Sequence, residues 1–569
     1  MHDLVIRGGL VVDGTGLPGR TADVAVSDGR VTAVGRVDGE ARQVIDADGL
    51  VVAPGIVDIH THYDPQLTWD PLCDTSALHG VTTVAAGNCG FSIAPCRADD
   101  HAYVAQMFAR VEGMDPAALD RIPWGFETFG EYLDTRSGRL GLNLGMYVGH
   151  SALRRWVMGD AAFERASTPD ELDAISTLFA RAMADGSLGL SSSHAPTHLD
   201  MADRPVPSRL ASLDEMRALA DVQGRTGVGS IAYAPGSAVE GIDAADRDLL
   251  IELAGRAGVP VVTQGLGGRS KVDAPTKAWA ASSAFLDRSA AAGAPVYSLL
   301  MARPLNGPFS LARGTSRYEG VPLWDALLAE PHDEKVRLLR DPEHRARLRD
   351  AIDHPNRDAS VGSTLPPPIW ESLRVARVHS DANRAAEGRT VGALAGEDGR
   401  HPADVVFDLA LADDLETVFH WSNETPAWRE LLRDVQRHPQ MVVGVSDGGA
   451  HLGWDDGAEW STYFLTTWWQ GEQLWRLEEA IRLMTSVPAG VVGLRDRGVL
   501  AVGRPADVFL FDPERLAVGR CGLAVDERTG LERFRSVPEG IRATIVNGTV
   551  VVDDGTPTGA TPGQVVRPC

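Results

Sequence analysis

Lysine is nearly missing from this chain of 569 residues. Of its 54 basic residues only Lys271, Lys277 and Lys335 are lysines. A catalytic lysine, or a carbamylated one bridging metals, therefore has almost no candidates. Cysteine is scarce as well: five residues, scattered and odd in number, form no disulfide framework and fit a reducing compartment, so a cytoplasmic location is expected. Positive charge is in deficit, with 78 acidic side chains and a formal net charge of −24. That balance argues against nucleic acid or an anionic membrane as a partner. No apolar run reaches membrane-spanning length, and MHDLVIRGG lacks the layout of a signal peptide. The expected partner is a small-molecule substrate, and a homo-oligomer is compatible with this composition.

What the chain does have is two histidines one residue apart at the end of an apolar, strand-forming run, PGIVDIHTH (54–62). Alternation along a strand puts His60 and His62 on one face and Thr61 on the other. Two imidazoles side by side suit a metal ion better than a core.

The two ends of the chain share a texture. DLVIRG, ADVAVSDGRVTAVG and QVIDADGLVV at the start, and ADVFLFD and RATIVNGTVVVDDG at the end, alternate β-branched residues with Asp-Gly or Asn-Gly turns. These ends are expected to pair into one small sheet domain. The middle has another rhythm. Thr168-Pro169-Asp170-Glu171 and Ser212-Leu213-Asp214-Glu215 open helices, Gly186 stops the first, Gly224 and Gly227 close the second, and LGLSSS and GSIAY follow as strands. Helix, glycine and strand recur at intervals of roughly 35–45 residues, the signature of βα units on a parallel sheet. With an eighth strand at MVVGVSD (441–447), the pattern predicts an α/β fold, a (β/α)8 TIM-like barrel. An insertion of about residues 305–437 interrupts it, carrying the charged text DEKVRLLRDPEHRARLRDAID and the proline-rich STLPPPIW. It reads either as a wall over the barrel mouth or as a solvated helical excursion.

Active sites of such barrels gather at the C-terminal strand ends. Those ends supply His60 and His62, then Cys89 in GNCG, His150 in VGHSALR, Ser193, His194 and His198 in SSSHAPTH, Arg303 after YSLLMA, and Asp447 in SDGGAH. Two histidines, a thiol and a carboxylate form a donor set with zinc's preferences. Cys89 reads equally well as a small buried hydrophobe and His150 as a lone hydrogen-bonding residue.

PGIVDIHTH, GVTTVAAGNCG, VGHSALR, SDGGAH and VLAVGRPADVFLFD together closely resemble the amidohydrolase superfamily, and within it the N-acyl-D-amino-acid deacylases (D-aminoacylases). The resemblance spans nearly the whole chain. It implies a β-sandwich domain from residues 1–53 and 496–569, and a metallohydrolase barrel over 54–495 with the 305–437 insertion. It implies a divalent metal, zinc, held by His60, His62 and Cys89, with Asp447 as general base and further ligand. The implied activity is hydrolysis of a non-peptide amide bond, deacylation of an N-acyl-(D-)amino acid by an activated water. The family's histidines at the fifth and sixth strand ends are replaced here by Ala232 and by Gln264 or Gly265. His150, His194 or His198 are candidates to stand in or to bind substrate, and Arg303 to hold a substrate carboxylate by a bidentate pair. Two alternatives follow from the missing pair: a cyclic amide or imide hydrolase, and a catalytically silent relative.

Overall fold

The computed structural model describes every residue except 239–240, 267–274, 314–317, 319, 356–368, 454–456 and 527. Lys271 and most of STLPPPIW lie outside the described residues.

The two chain ends meet in one nine-stranded sheet. Strands His2–Val11, Arg20–Ser27, Arg30–Gly35, Ala41–Asp46 and Val51–Pro54 come from the start. Val508–Phe511, Ile541–Val546, Thr549–Asp553 and Thr556–Pro557 come from the end. The seam is antiparallel, with Val508 opposite Pro54 and Phe511 opposite Val51. Asp28-Gly29 and Asn547-Gly548 both turn through positive φ (51° and 72°, 44° and 79°), the geometry a two-residue hairpin demands. Alternate residues such as Leu4, Ile6, Val24, Val26, Leu510 and Ile545 form a separate apolar core, as the period of two requires.

Eight stretches of the middle pair in parallel, each with the next. Ile56–Asp58 pairs with Val81–Ala86, and that strand with Asn143–Met146. Val148–Gly149, which continues the third stretch, pairs with Leu190–Ser193; then come Ile231–Ala234, Val261–Thr263, Val296–Leu300 and Met441–Val443. The order closes on itself, because Val445–Gly448, continuing the eighth, pairs with His60–Thr61, continuing the first. One apolar cluster draws on all eight stretches or the residues adjoining them: Val57, Ala85, Tyr147, Leu188, Ala232, Val262, Leu299 and Val442.

The connecting helices obey local chemistry. Thr168 accepts from Glu171 N while Glu171 accepts from Thr168 N, Pro169 takes the first helical position, and Gly186 ends the helix Pro169–Asp185 at φ 115°. Ser212 caps Leu213–Thr226, which Gly227 alone terminates. Gly224 lies inside that helix rather than closing it. A Cβ there would stand 2.7 Å from Arg256 O, so the glycine lets the next helix, Ala244–Ala257, pack close.

The 305–437 segment builds its own core. Strands Asn306–Phe309, Val418–Ser422 and Arg374–Arg377 form an antiparallel sheet in that order. The charged text folds as helices His332–Arg340 and Pro342–Asp353, which bury Leu339, Leu348 and Ile352 beside Trp324 and Phe407. Lys335 is buried there and donates to Ala312 O at 3.1 Å.

Candidate active site

At the junction of the first and eighth stretches the strands place two imidazoles against one carboxylate. Thr61 points away and donates through Oγ1 to Ala85 O at 2.9 Å, which leaves His60 and His62 on the opposite face with ring centroids 5.4 Å apart. Asp58, fully buried, fixes both stretches: its Oδ1 accepts from His60 N at 3.2 Å and Ser446 N at 3.4 Å, and its Oδ2 accepts from Trp460 Nε1 at 3.1 Å. His62 N donates to Gly448 O at 2.7 Å. The second glycine of SDGG is required by this approach, since a Cβ on Gly449 (φ 90°) would stand 2.7 Å from His62 O.

His62 Nε2 lies 3.1 Å from Asp447 Oδ1, and His60 Nε2 lies 3.5 Å from the same oxygen. Cys89 Sγ stands 3.6 Å from His60 Nε2. The donor atoms of His60, His62 and Cys89 all fall within 4.8 Å of one another. Asn88 holds the GNCG turn against the first stretch by donating to Thr61 O and Ala85 O. Cys89, Asp447 and His451 all adopt left-handed backbone (φ 56°, 61° and 55°), a conformation that non-glycine residues rarely take outside turns and functional sites.

A cavity of about 170 Å³ opens over this group, lined by His60, His62, Cys89, Glu112, His198, Gln264, Asp447 and His451 among others. Among the described residues none of the 305–437 segment lines it. Two of the titratable lining residues escaped the sequence reading as site residues. Glu112 follows the helix His101–Val111, and its Oε2 is 3.4 Å from His62 Nε2. His451, the last residue of SDGGAH, donates through its backbone N to Glu112 O at 2.7 Å.

The electrostatics ask for positive charge. Burial opposes charge on His62, but the Glu112 carboxylate and the hydrogen bond to Asp447 raise its pKa well above the usual histidine range. Burial works against the Asp447 anion too, yet His62 and then His60 hold it below the usual carboxylate range. Burial lowers His60 to about 4, keeping that imidazole neutral, and pushes the Cys89 thiol up to about 11. Two carboxylates, two imidazoles and a sulfur around one point are a donor set that a divalent cation satisfies. The residues present fit such an ion.

The remaining candidates lie elsewhere or serve other groups. His150 is fully buried, between Ser192 Oγ and Glu215 Oε1 at 2.8 Å each. His194 bonds the Tyr233 hydroxyl and Ala211 O. His198 does reach the cavity, its Nδ1 2.8 Å from Ser193 Oγ. Arg303 is 2% exposed, set 3.3 Å from Glu459 Oε1 and donating to Pro304 O at 3.0 Å. It faces a buried carboxylate of the chain itself and is not free to clamp a substrate. Ala232 packs into the apolar cluster within the ring, whereas Gln264 lines the cavity.

This closed ring of parallel strands, with HxH and SDG meeting at their C-terminal ends, is the arrangement of an amidohydrolase. The sequence profile of the Amidohydrolase family matches residues 43–552, and the chain belongs to that family; it is a hydrolase of C–N amide bonds. An N-acyl-D-aspartate deacylase of Alcaligenes xylosoxydans xylosoxydans is 28% identical over 585 residues, covering 100% of this chain and 95% of that protein. An uncharacterized protein of Mycobacterium tuberculosis is 28% identical over 594 residues, 97% of this chain and 92% of its own. In fold the chain resembles N-acyl-D-glutamate deacylase from Bordetella bronchiseptica, solved with zinc and a phosphonate inhibitor: TM-score 0.63, 23% identity, 100% and 99% of the two chains. No helix among the described residues is long and apolar enough to cross a membrane.

Proposed function

We propose that this amidohydrolase is a zinc-dependent deacylase of N-acyl amino acids, of the D series as in its named relatives. The architecture in this reading is a (β/α)8 barrel over 54–495, with the 305–437 insertion as a subdomain and a β-sandwich formed by 1–53 and 496–569. Among the described residues the free thiols of Cys73, Cys89, Cys96 and Cys569 fit a reducing, cytoplasmic setting. The observation that carries the proposal is the single carboxylate oxygen of Asp447 facing both imidazoles of the HxH pair beside a cavity.

His60, His62 and Cys89 would hold the cation, with Asp447 beside it. A divalent metal there supplies polarisation of the scissile carbonyl and a lowered pKa for water. Asp447 accepts a proton from the attacking water and delivers it to the departing nitrogen, as its place between the imidazoles and the open cavity allows. Thr197, His198 and Gln264 line the same cavity and offer polar groups to orient the acyl amide. Asp58 keeps the first and eighth stretches in register so that the base and the imidazoles stay within reach.

One observation favours a second reading. Among the described residues lining the cavity there is no arginine or lysine, and Arg303 faces Glu459. A cyclic amide or imide needs no carboxylate clamp. Amine release from N-acetyl-D-amino acids with acidic and with apolar side chains and from their L enantiomers, measured beside ring opening of substituted hydantoins to the carbamoyl acid, decides the matter. The proposal expects turnover of an N-acetyl-D-amino acid above all others; turnover of the cyclic substrates alone would replace it.

A further inference from the structure

The loss of the two strand-end histidines leaves a question that the cavity answers from another direction. Glu112 comes from the connection between the second and third stretches, not from a strand end. Its side chain is 5% exposed, it lines the cavity with His60, His62, Cys89 and Asp447, and its Oε2 stands 3.4 Å from His62 Nε2. Its other oxygen, Oε1, is buried with no hydrogen-bond partner among the described residues. A buried carboxylate oxygen without a donor carries a desolvation cost that native structures rarely leave uncompensated. His62 Nε2 cannot compensate both acids: an imidazole nitrogen holds one hydrogen or one lone pair, and Asp447 Oδ1 already lies 3.1 Å from it. Two carboxyl groups thus converge on one nitrogen, an arrangement that a cation between them would satisfy.

The backbone shows that this approach is built in. His451 N donates to Glu112 O at 2.7 Å, and Gly113 follows at φ 59°. A Cβ on Gly113 would stand 2.9 Å from His451 Nδ1, so only glycine lets the end of the helix come this near to the SDGGAH loop.

We infer that Glu112 is a ligand of the active-site metal, supplying through its carboxylate what the fifth and sixth strand ends lack. This rests on the metal reading of the site proposed above. Glu112 would join the donors already proposed, His60, His62 and Cys89 with Asp447 beside them, and add a carboxylate oxygen to a set of nitrogen and sulfur within zinc's range.

The direct test is a crystal structure of the parent protein loaded with zinc. A Glu112 oxygen at about 2.0–2.2 Å from the ion is the expected result; a metal on His60 and His62 with Glu112 beyond bonding distance overturns the inference and leaves the metal reading intact. A parent protein that takes up no metal overturns both. Zinc titration of metal-free Glu112→Gln and Glu112→Ala is the independent measure, with circular dichroism to register the fold. Both variants are expected to lose more than about 100-fold in zinc affinity, beyond the 10–100-fold typical of residues that only support a ligand. Their cobalt-substituted absorption spectra should differ from that of the parent. Unchanged affinity and spectrum in a folded Glu112→Gln would count against it.

Discussion

In the proposed mechanism, turnover rests on Asp447. Asp447→Asn keeps the shape of the side chain and removes the proton acceptor. The expected result is an intact fold with amide hydrolysis reduced by about 10²–10⁴-fold; a near-normal rate would place the base elsewhere. Cys89 makes a separate prediction. If its sulfur binds the ion, Cys89→Ser takes up less metal than the parent in parallel elemental analysis, and the cobalt-loaded parent shows a sulfur-to-metal charge-transfer band that the variant lacks. Equal metal in both would leave Cys89 as a buried small residue at a tight turn.

These residues differ in how far the sequence reveals them. His60 and His62 are legible because two side chains one residue apart on a strand must share a face, and Thr61 does turn the other way. Asp447 is legible as the acid at the end of the eighth strand. Glu112 is not, because nothing in ARVEGMDP sets it apart from an ordinary charged helix end; only the approach of its Oε2 to His62 Nε2 in three dimensions shows where it points. Arg303 misleads for the converse reason, since the carboxylate facing it, Glu459, is 156 residues away in the chain.

At the scale of elements, the helix His150–Met158 and the helix Leu213–Thr226 are joined by a buried network. Glu215 accepts from His150 Nε2 at 2.8 Å, Arg154 Nη1 at 2.6 Å and Ser167 Oγ at 2.7 Å. Its sequence position announces a capping box, and Ser212 does cap the helix. The glutamate side chain, however, turns inward to this network. Burial opposes its charge, but the hydrogen bond and charge of His150, then Arg154, lower its pKa to about 2. A carboxylate depressed in the folded state stabilises the fold above its unfolded pKa of about 4.5 and loses that contribution as pH falls toward 2. Glu215→Gln should therefore cost about 3–5 kcal/mol at pH 7, because it strands the buried Arg154 cation. The gap between parent and variant in urea unfolding should narrow below pH 4.5. A gap that is independent of pH would show that Glu215 acts by packing alone.

For the whole molecule, the long-range seam between the chain ends decides whether the site is held. The strand Val51–Pro54 runs directly into the stretch that carries His60, and its partner strand places Phe509 fully buried against Gly80, where a Cβ would lie 2.4 Å from the ring. Phe509→Ala should cost about 3–5 kcal/mol by leaving a cavity at that junction, read as a lower denaturant midpoint with unchanged slope. The hairpin turns at both ends were readable from Asp-Gly and Asn-Gly. The antiparallel pairing of residue 508 with residue 54 was not, because no local pattern encodes a contact across 454 residues. The separate core of residues 305–437 was hidden likewise, since its charged helices contribute only a few apolar residues each.

The central claim is that amide hydrolysis here depends on a metal held by the HxH pair. The most direct measurement is the metal content and amidase rate of one preparation before chelation, after it, and after zinc is restored, alongside His60→Ala/His62→Ala. The account predicts about one divalent ion per chain, hydrolysis lost with the ion and recovered with it, and neither in the double variant. Undiminished hydrolysis by the metal-free protein, or a full metal complement in the double variant, would contradict it.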